Sequence, residues 1–334
     1  MNEERRGGEG HSALWWEAGW LGRLYMRFVS FLRAWFWPLW KWILRLLTRR
    51  CEVVRILSSR NGWTTKQKTI AFDLSLQRSK QLREVYNSLW GNEEMDTSRV
   101  YAALCQCKRI DADTAARFSL LPELDNSLAL LEQLRALIEE LLGLSNQSYD
   151  SSNEEHEALL ERLWQGLKPG VHRKHGRKSP EWGELGFQGT DPATDFRGMG
   201  ILGLTNLVYF AENYPEKARL TLADSVNPNH EYPLAITGIN LTKMLLSFLH
   251  KDLTRSVRSS SSSAKLCNTL LHQHFLSKGC SLTTFNELYS HVLFTFGRVY
   301  VSKRPENILQ FPRIHDEFKA NLVLKLESDG VLHF

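Results

Sequence analysis

The sequence predicts an all-α protein, on three observations. Apolar residues recur at three- and four-residue steps through most of the chain from residue 65 onward. Helix-opening and helix-ending residues flank several of these runs. Alternating strand-like runs are scarce, and no internal repeat of 20 to 50 residues is visible. The chain has 334 residues and 43% hydrophobic content, enough for one large domain or two smaller ones.

The N-terminal 50 residues stand apart. Seven of the eleven tryptophans fall between Trp15 and Trp42. Residues 11–50 carry Arg23, Arg27, Arg33, Lys41, Arg45, Arg49 and Arg50 against a single acid, Glu17, while residues 51–334 sum to zero charge. The body is therefore neutral, which argues against a general nucleic-acid binder. At 100° per residue, Arg23, Arg27, Lys41, Arg45 and Arg49 fall within about 80° of one another. Most of the Trp, Phe and Leu residues take the rest of the wheel, and Trp15, Trp16, Trp20, Trp35, Trp37, Trp40 and Trp42 are assigned with these basic residues to the membrane contact. This pattern describes a helix lying in an anionic membrane surface, arginines over headgroups and tryptophans at the boundary. Pro38 is expected to kink it. Two other readings stand beside it: a cover for the body's own core, or a tilted span with snorkelling arginines. An ordinary span needs about 20 largely uncharged apolar residues, and the stretch is too interrupted by charge. Nor does a small-residue cleavage site follow, as a signal peptide would require.

The body, from residue 51, reads as successive helices. Leu128, Leu131, Leu134, Ile138, Leu141 and Leu142 keep helical spacing, with Gly143 as the expected stop. Ser152-Asn153-Glu154-Glu155 has the form of a capping box. It opens a helix carrying Leu159, Leu160, Leu163 and Trp164, which Leu167-Lys168-Pro169-Gly170 ends. Residues 204–211, 234–249, 284–300 and 314–324 read as further helices. Two stretches read as connections. "KPGVHRKHGRKSP", 168–180, is a basic loop, either solvated or in contact with an acidic partner or lipid. "TRSVRSSSSSAK", 254–265, is a serine-rich linker. Cys51, Cys105, Cys107, Cys267 and Cys280 form no C-x-x-C pair, so no zinc site is expected and a reducing compartment fits best.

The densest run of chemistry is "DPATDFRGMGILGLTNL", 191–207. Gly198-Met199-Gly200-Ile201-Leu202-Gly203 spells G-x-G-x-x-G, but turn residues precede it where a dinucleotide fold requires a strand. No G-x-x-x-x-G-K-[ST] run is present either. The stretch reads instead as a turn built on Asp191-Pro192 and Thr194-Asp195, followed by a helix. Gly198, Gly200 and Gly203 permit close backbone approach, within the chain or to a partner. Arg197 heads that helix. It either staples the turn through Asp191 or Asp195 or reaches outward.

"WGELGFQGTDPATDFRGMGILGLTNLVYF", Trp182 to Phe210, closely resembles the signature of the ELMO domain in the ELMO-domain-containing (ELMOD) family. Every fixed position of that pattern is met. "HEALLERLWQGLKP" and "YPLAITGINLT" agree with it, and the resemblance is strong over about 150–320. It implies a compact helical ELMO domain over 151–325, preceded by a helical N-terminal part of the body over 51–150; the segment assigned to the membrane from its own charge and tryptophan pattern covers 1–50. It further implies a GTPase-activating protein for Arf and Arf-like small GTPases in their GTP-bound form. Arg197 is the residue to which such activity is ascribed; Gln188, Asp191, Asp195, Gly198 and Gly200 are the arginine-orienting and motif residues around it, with Asp195 expected to orient Arg197 and Gly198 and Gly200 to let the GTPase's switch loops approach. GTP, Mg²⁺ and the water-positioning residue would belong to the GTPase, so neither cofactor nor intrinsic nucleotide hydrolysis is expected. A non-catalytic adaptor for an Arf-like GTPase would present the same surface. The expected location is the cytosolic face of an intracellular membrane, with the endoplasmic reticulum foremost.

Overall fold

The computed structural model describes residues 39, 42–44, 46–90, 96–250 and 262–328. These residues form α-helices joined by short 3₁₀ segments and turns, with no strand among them. The chain divides into two compact units, 1–126 and 127–334. The border falls inside a helix. The leucine stripe from Leu128 to Leu141 is buried in the second unit and carries its helix with it.

In the first unit, α1 spans Glu52–Leu57, α2 Thr65–Arg78, α3 Arg83–Leu89, α4 Thr97–Lys108 and α5 Ala112–Arg117. Starts are set by side chains that satisfy otherwise unpaired N–H groups. Thr64 and Gln67 form a reciprocal capping box on α2, while Asp96 and Asp111 cap α4 and α5. Val53, Leu57, Phe72, Leu76, Leu82, Leu104 and Phe118 fill this unit's core. Residues 42–44 and 46–48 are helical, and among the described residues no helix is long and apolar enough to cross a membrane. Of the residues assigned to a membrane contact, Trp42 is exposed and Arg49 follows that helix with φ 53°. Trp15, Trp16, Trp20, Arg23, Arg27, Trp35, Trp37, Trp40, Lys41 and Arg45, like the kink at Pro38, lie outside the described residues.

The second unit holds most of α6 (Leu120–Asn146), then α7 (Glu154–Leu167), α8 (Gly200–Asn213) and α9 (Pro215–Ser225). It continues with α10 (Leu234–Leu249), α11 (Ser262–Lys278), α12 (Leu282–Ser302) and α13 (Phe311–Ser328). Helix α8 is apolar almost all round and packs against α7, α10 and α12. An all-round apolar helix can only be stable inside a core, and Leu202, Leu204, Leu207 and Phe210 are nearly or fully buried.

Three local expectations differ. Helix α6 does not stop at Gly143 but runs to Asn146, where the Gln147 carbonyl accepts the Ile201 N–H at 2.9 Å. A tertiary partner, not the glycine, sets that end. At α7 the cap is Asn153, whose side chain accepts the Glu155 N–H at 2.8 Å. Ser152 is held instead by Asp150, which accepts from both its N–H and its hydroxyl. The serine-rich linker falls largely outside the described residues, but the chain is already helical from Ser262.

Candidate functional site: an arginine on a tight turn

Between α7 and α8 the chain makes two short 3₁₀ segments, Pro180–Leu185 and Pro192–Gly198. Large aromatic rings lie beneath them. Trp164 of α7 meets Trp182 edge-on at 5.5 Å, Trp182 meets Phe187 at 5.9 Å, and Phe187 meets Phe196 at 5.6 Å. Tyr149 stacks on Phe196 at 5.3 Å. The two indole N–H groups donate to loop carbonyls, Trp164 to Val171 and Trp182 to Arg177. Buried indoles need such partners, and here the partners pin the loop onto the rings. Trp182, Phe187, Leu204 and Leu207 are all buried, as large apolar residues flanking the motif should be.

The basic loop before the motif is neither free nor simply solvated. Arg173 pairs with Glu161 and lies over the Trp182 ring at 4.2 Å. Lys168 pairs with Glu184, and His175 faces Glu181. Arg177 bridges two segments. Its Nε donates to Glu157 of α7 at 2.6 Å, and its Nη2 donates to Asp191 at 3.2 Å. Glu157 also accepts the Tyr149 hydroxyl. Lys178 reaches Asp191 at 3.4 Å.

Asp191 therefore does not meet Arg197. It caps the second 3₁₀ segment by accepting the Ala193 N–H at 3.2 Å. Burial would raise its pKa, but that cap together with Arg177 and Lys178 holds the carboxyl below the usual range. Asp195 moves the other way. Burial raises its pKa, only partly offset by the Gln188 N–H, which donates to it at 2.8 Å, and by the Arg197 charge. Gln188 contributes that backbone group, and the residue is otherwise exposed.

The expected Asp195–Arg197 contact is absent: no carboxylate oxygen lies within 4 Å of the Arg197 guanidinium among the described residues. The reason is the 3₁₀ geometry. Three residues per turn places positions 194 and 197 on one face and position 195 on another. Accordingly Arg197 Nε donates to the Thr194 carbonyl at 3.0 Å. Its two Nη groups have no partner among the described residues, and the side chain is exposed. The adjoining Phe196, one step round the turn, is fully buried.

The glycines play different parts. Gly200 has φ +50°, and a Cβ there would lie 2.4 Å from the Gln147 carbonyl oxygen and 2.7 Å from that of Ser145. Its close approach is thus to the end of α6, within the chain. Gly198 is exposed, and a Cβ added there would meet nothing within 4 Å. The G-x-G-x-x-G run passes from a 3₁₀ turn directly into α8, with no strand before it. Sequence reasoning misses Tyr149, Glu157 and Arg177. Arg177 is one cation among several in its loop, and nothing local marks which carboxylates it will meet.

Among the described residues the body is all-α, and one arginine stands out of an aromatic-backed turn that opens directly into the central helix. The chain belongs to the ELMO/CED-12 family, whose pattern matches residues 139–315. It is similar to ELMO domain-containing protein B of Dictyostelium discoideum, 37% identical over 287 residues, covering 86% of this chain and 93% of that one. ELMO domain-containing protein 2 of Mus musculus is 31% identical over 312 residues, covering 92% and 99%. ELMO domain-containing protein 1 of Homo sapiens is 27% identical over 320 residues, covering 87% and 89%. No solved structure matches.

Proposed function

We propose that this protein is a GTPase-activating protein for Arf-family small GTPases, acting at the cytosolic face of an intracellular membrane by inserting Arg197 beside the partner's bound GTP. One observation carries the proposal. Arg197 is anchored through Nε on a turn fixed from several sides, which leaves both Nη groups directed to no described group of the chain itself. During phosphoryl transfer, negative charge spreads over the γ-phosphate and bridging oxygens. A guanidinium supplied in trans stabilises that charge and is worth about 10³ to 10⁵ in rate. GTP, Mg²⁺ and the attacking water belong to the GTPase. The chain's own contribution is position: Asp191, Arg177 and Glu157 hold the turn, Thr194 fixes the root of the guanidinium, and bare Gly198 leaves room for a switch loop.

The test is single-turnover GTP hydrolysis across a panel of Arf and Arf-like GTPases, with and without this protein. Acceleration by the wild type is expected, with loss by about 10³ or more in both Arg197→Ala and Arg197→Lys. Lysine keeps the charge but not the planar fork. Unchanged melting temperatures in both variants would show that the loss is chemical. Tight binding to a GTP-bound partner with no acceleration would make the protein an adaptor instead. Near-wild-type activity in Arg197→Lys would reject the arginine's role.

A further inference from the structure

Three arginines of the first unit converge on one ring. The guanidinium carbons of Arg50, Arg60 and Arg117 lie 4.0, 5.5 and 5.8 Å from the centroid of Phe118. Held that close to one point, the second and third are at most roughly 11 Å apart, comparable to the screening length at physiological salt. The three charges therefore repel one another with incomplete screening. The ring face offsets part of this. No carboxylate oxygen lies within 4 Å of any of the three among the described residues. Asp111, the N-cap of α5, is occupied in capping through the Thr114 N–H and hydroxyl, and Asp113, the acid within α5, lies more than 4 Å from the Arg117 guanidinium.

The backbone beneath is built to hold this arrangement. Phe118 is buried, and its carbonyl accepts both the N–H and the hydroxyl of Ser59. The Arg60 N–H donates to Ser58 Oγ at 3.2 Å, and Asn61 donates to the last carbonyls of α1. Arg50 is placed by its N–H to Thr48, whose hydroxyl in turn donates back to the Leu44 carbonyl. Three separate segments thus aim cations at one ring.

The same segments expose apolar surface. Leu46 and Leu47, just before Arg50, are 58% and 75% exposed, Trp42 is 60% exposed, and Trp63, three residues past Arg60, is 47% exposed. A site for a free anion has no need of bare leucine and tryptophan beside it. A bilayer interface supplies both environments, with phosphate above and acyl boundary below.

We propose that Arg50, Arg60 and Arg117, gathered on Phe118, form a binding site for a phosphate-bearing lipid headgroup, and that a phosphorylated inositol lipid fits it best. Three forked donors converging from different directions match several phosphate oxygens on one headgroup better than they match a single carboxylate. The site shares no residue with the turn that carries Arg197, and its role does not depend on GTPase activation.

The test uses the full chain and vesicles of phosphatidylcholine containing either phosphatidylserine or a phosphatidylinositol phosphate, matched for total charge. At matched charge the wild type is expected to prefer the inositol-lipid vesicles by about tenfold. Arg60→Gln with Arg117→Gln, both exposed positions, should remove that preference while leaving the melting temperature unchanged. Lys80→Gln with Arg83→Gln removes equal charge elsewhere on the same unit and should preserve it. No preference in the wild type, an unchanged preference in the arginine pair, or an equal loss in the control pair would each overturn the proposal. So would full competition by inorganic phosphate, which would assign the cluster to a soluble anion. If the arginine pair unfolds, Arg60→Lys with Arg117→Lys carries the test: it retains the charge and should lose most of the preference.

Discussion

Asp191 and Asp195 sit four positions apart in one turn and are pushed in opposite directions, so they make opposite contributions to stability as pH changes. A depressed carboxyl adds stability that is present above its unfolded value, near 4, and is lost as pH falls through the folded value. Asp191 is of this kind. A raised carboxyl behaves conversely: its fold is relatively favoured when protonated, and stability declines as pH rises through the range between the unfolded and folded values. Asp195 is of that kind. Asn at either position can still accept the backbone N–H, from Ala193 or from Gln188. Asp191→Asn is therefore expected to melt lower than wild type at pH 7, and Asp195→Asn higher. The Asp195 difference should shrink as pH falls from 7 toward about 4, and the Asp191 difference only as pH falls below about 4. Thermal melts from pH 7 down to pH 3 check this, and two shifts of the same sign would contradict it. The turn itself is legible in the sequence, because Asp-Pro and Thr-Asp are short-range chemistry. The partners of Asp191 are not. Arg177 lies fourteen positions earlier, and Glu157, the other carboxylate on Arg177, comes from α7, so only the packed chain brings them together. Asp195 misleads by adjacency: sequence neighbours two apart do not share a face of a 3₁₀ turn.

The start of α8 separates two kinds of glycine. At Gly200 a side chain meets three backbone carbonyls and a positive φ, so neither the space nor the conformation accepts it. Gly200→Ala is expected to destabilise the protein by about 1 to 3 kcal/mol or more. Gly198→Ala meets open space and should leave the melting temperature nearly unchanged. Under the proposed function it should still lower GTPase activation, because the new methyl occupies the surface a switch loop would approach. Melting curves and single-turnover rates on the two variants separate the roles. A stable Gly200→Ala, or an unfolded Gly198→Ala, would reverse the assignment. Long apolar helices are the most legible elements: residues 234–249 coincide with α10, and α8 and α12 extend the expected cores by a few residues. Helix α9 is nearly silent in the sequence, since only Ala218, Thr221, Leu222 and Ser225 turn inward and Leu220 points to solvent. With so few apolar residues the periodic signal is faint.

For the molecule as a whole, the neutral body and the basic, tryptophan-rich first 50 residues imply separable tasks. Under the proposed function, removing residues 1–50 is expected to leave a folded protein that still accelerates GTP hydrolysis in solution. It should float much less with anionic vesicles, each lost basic residue being worth about 1 kcal/mol near such a surface. Flotation and hydrolysis measured on the same truncated chain check both halves. Equal flotation with and without the segment would place the membrane contact elsewhere.

The loop at 168–180 carries an unusual number of cations, yet Lys168, Arg173, Arg177 and Lys178 each face a carboxylate of their own chain. Paired charges produce a field that decays far faster with distance than the field of bare ones. A diffusing partner thus meets little long-range attraction from this side and must find the turn by chance collision. Encounter would then proceed at an unsteered rate of about 10⁵ to 10⁶ M⁻¹s⁻¹. Between about 0.05 and 0.3 M salt that rate should change by less than about threefold in the chain lacking residues 1–50, whereas a steep decline would mean that these ion pairs open before the partner arrives.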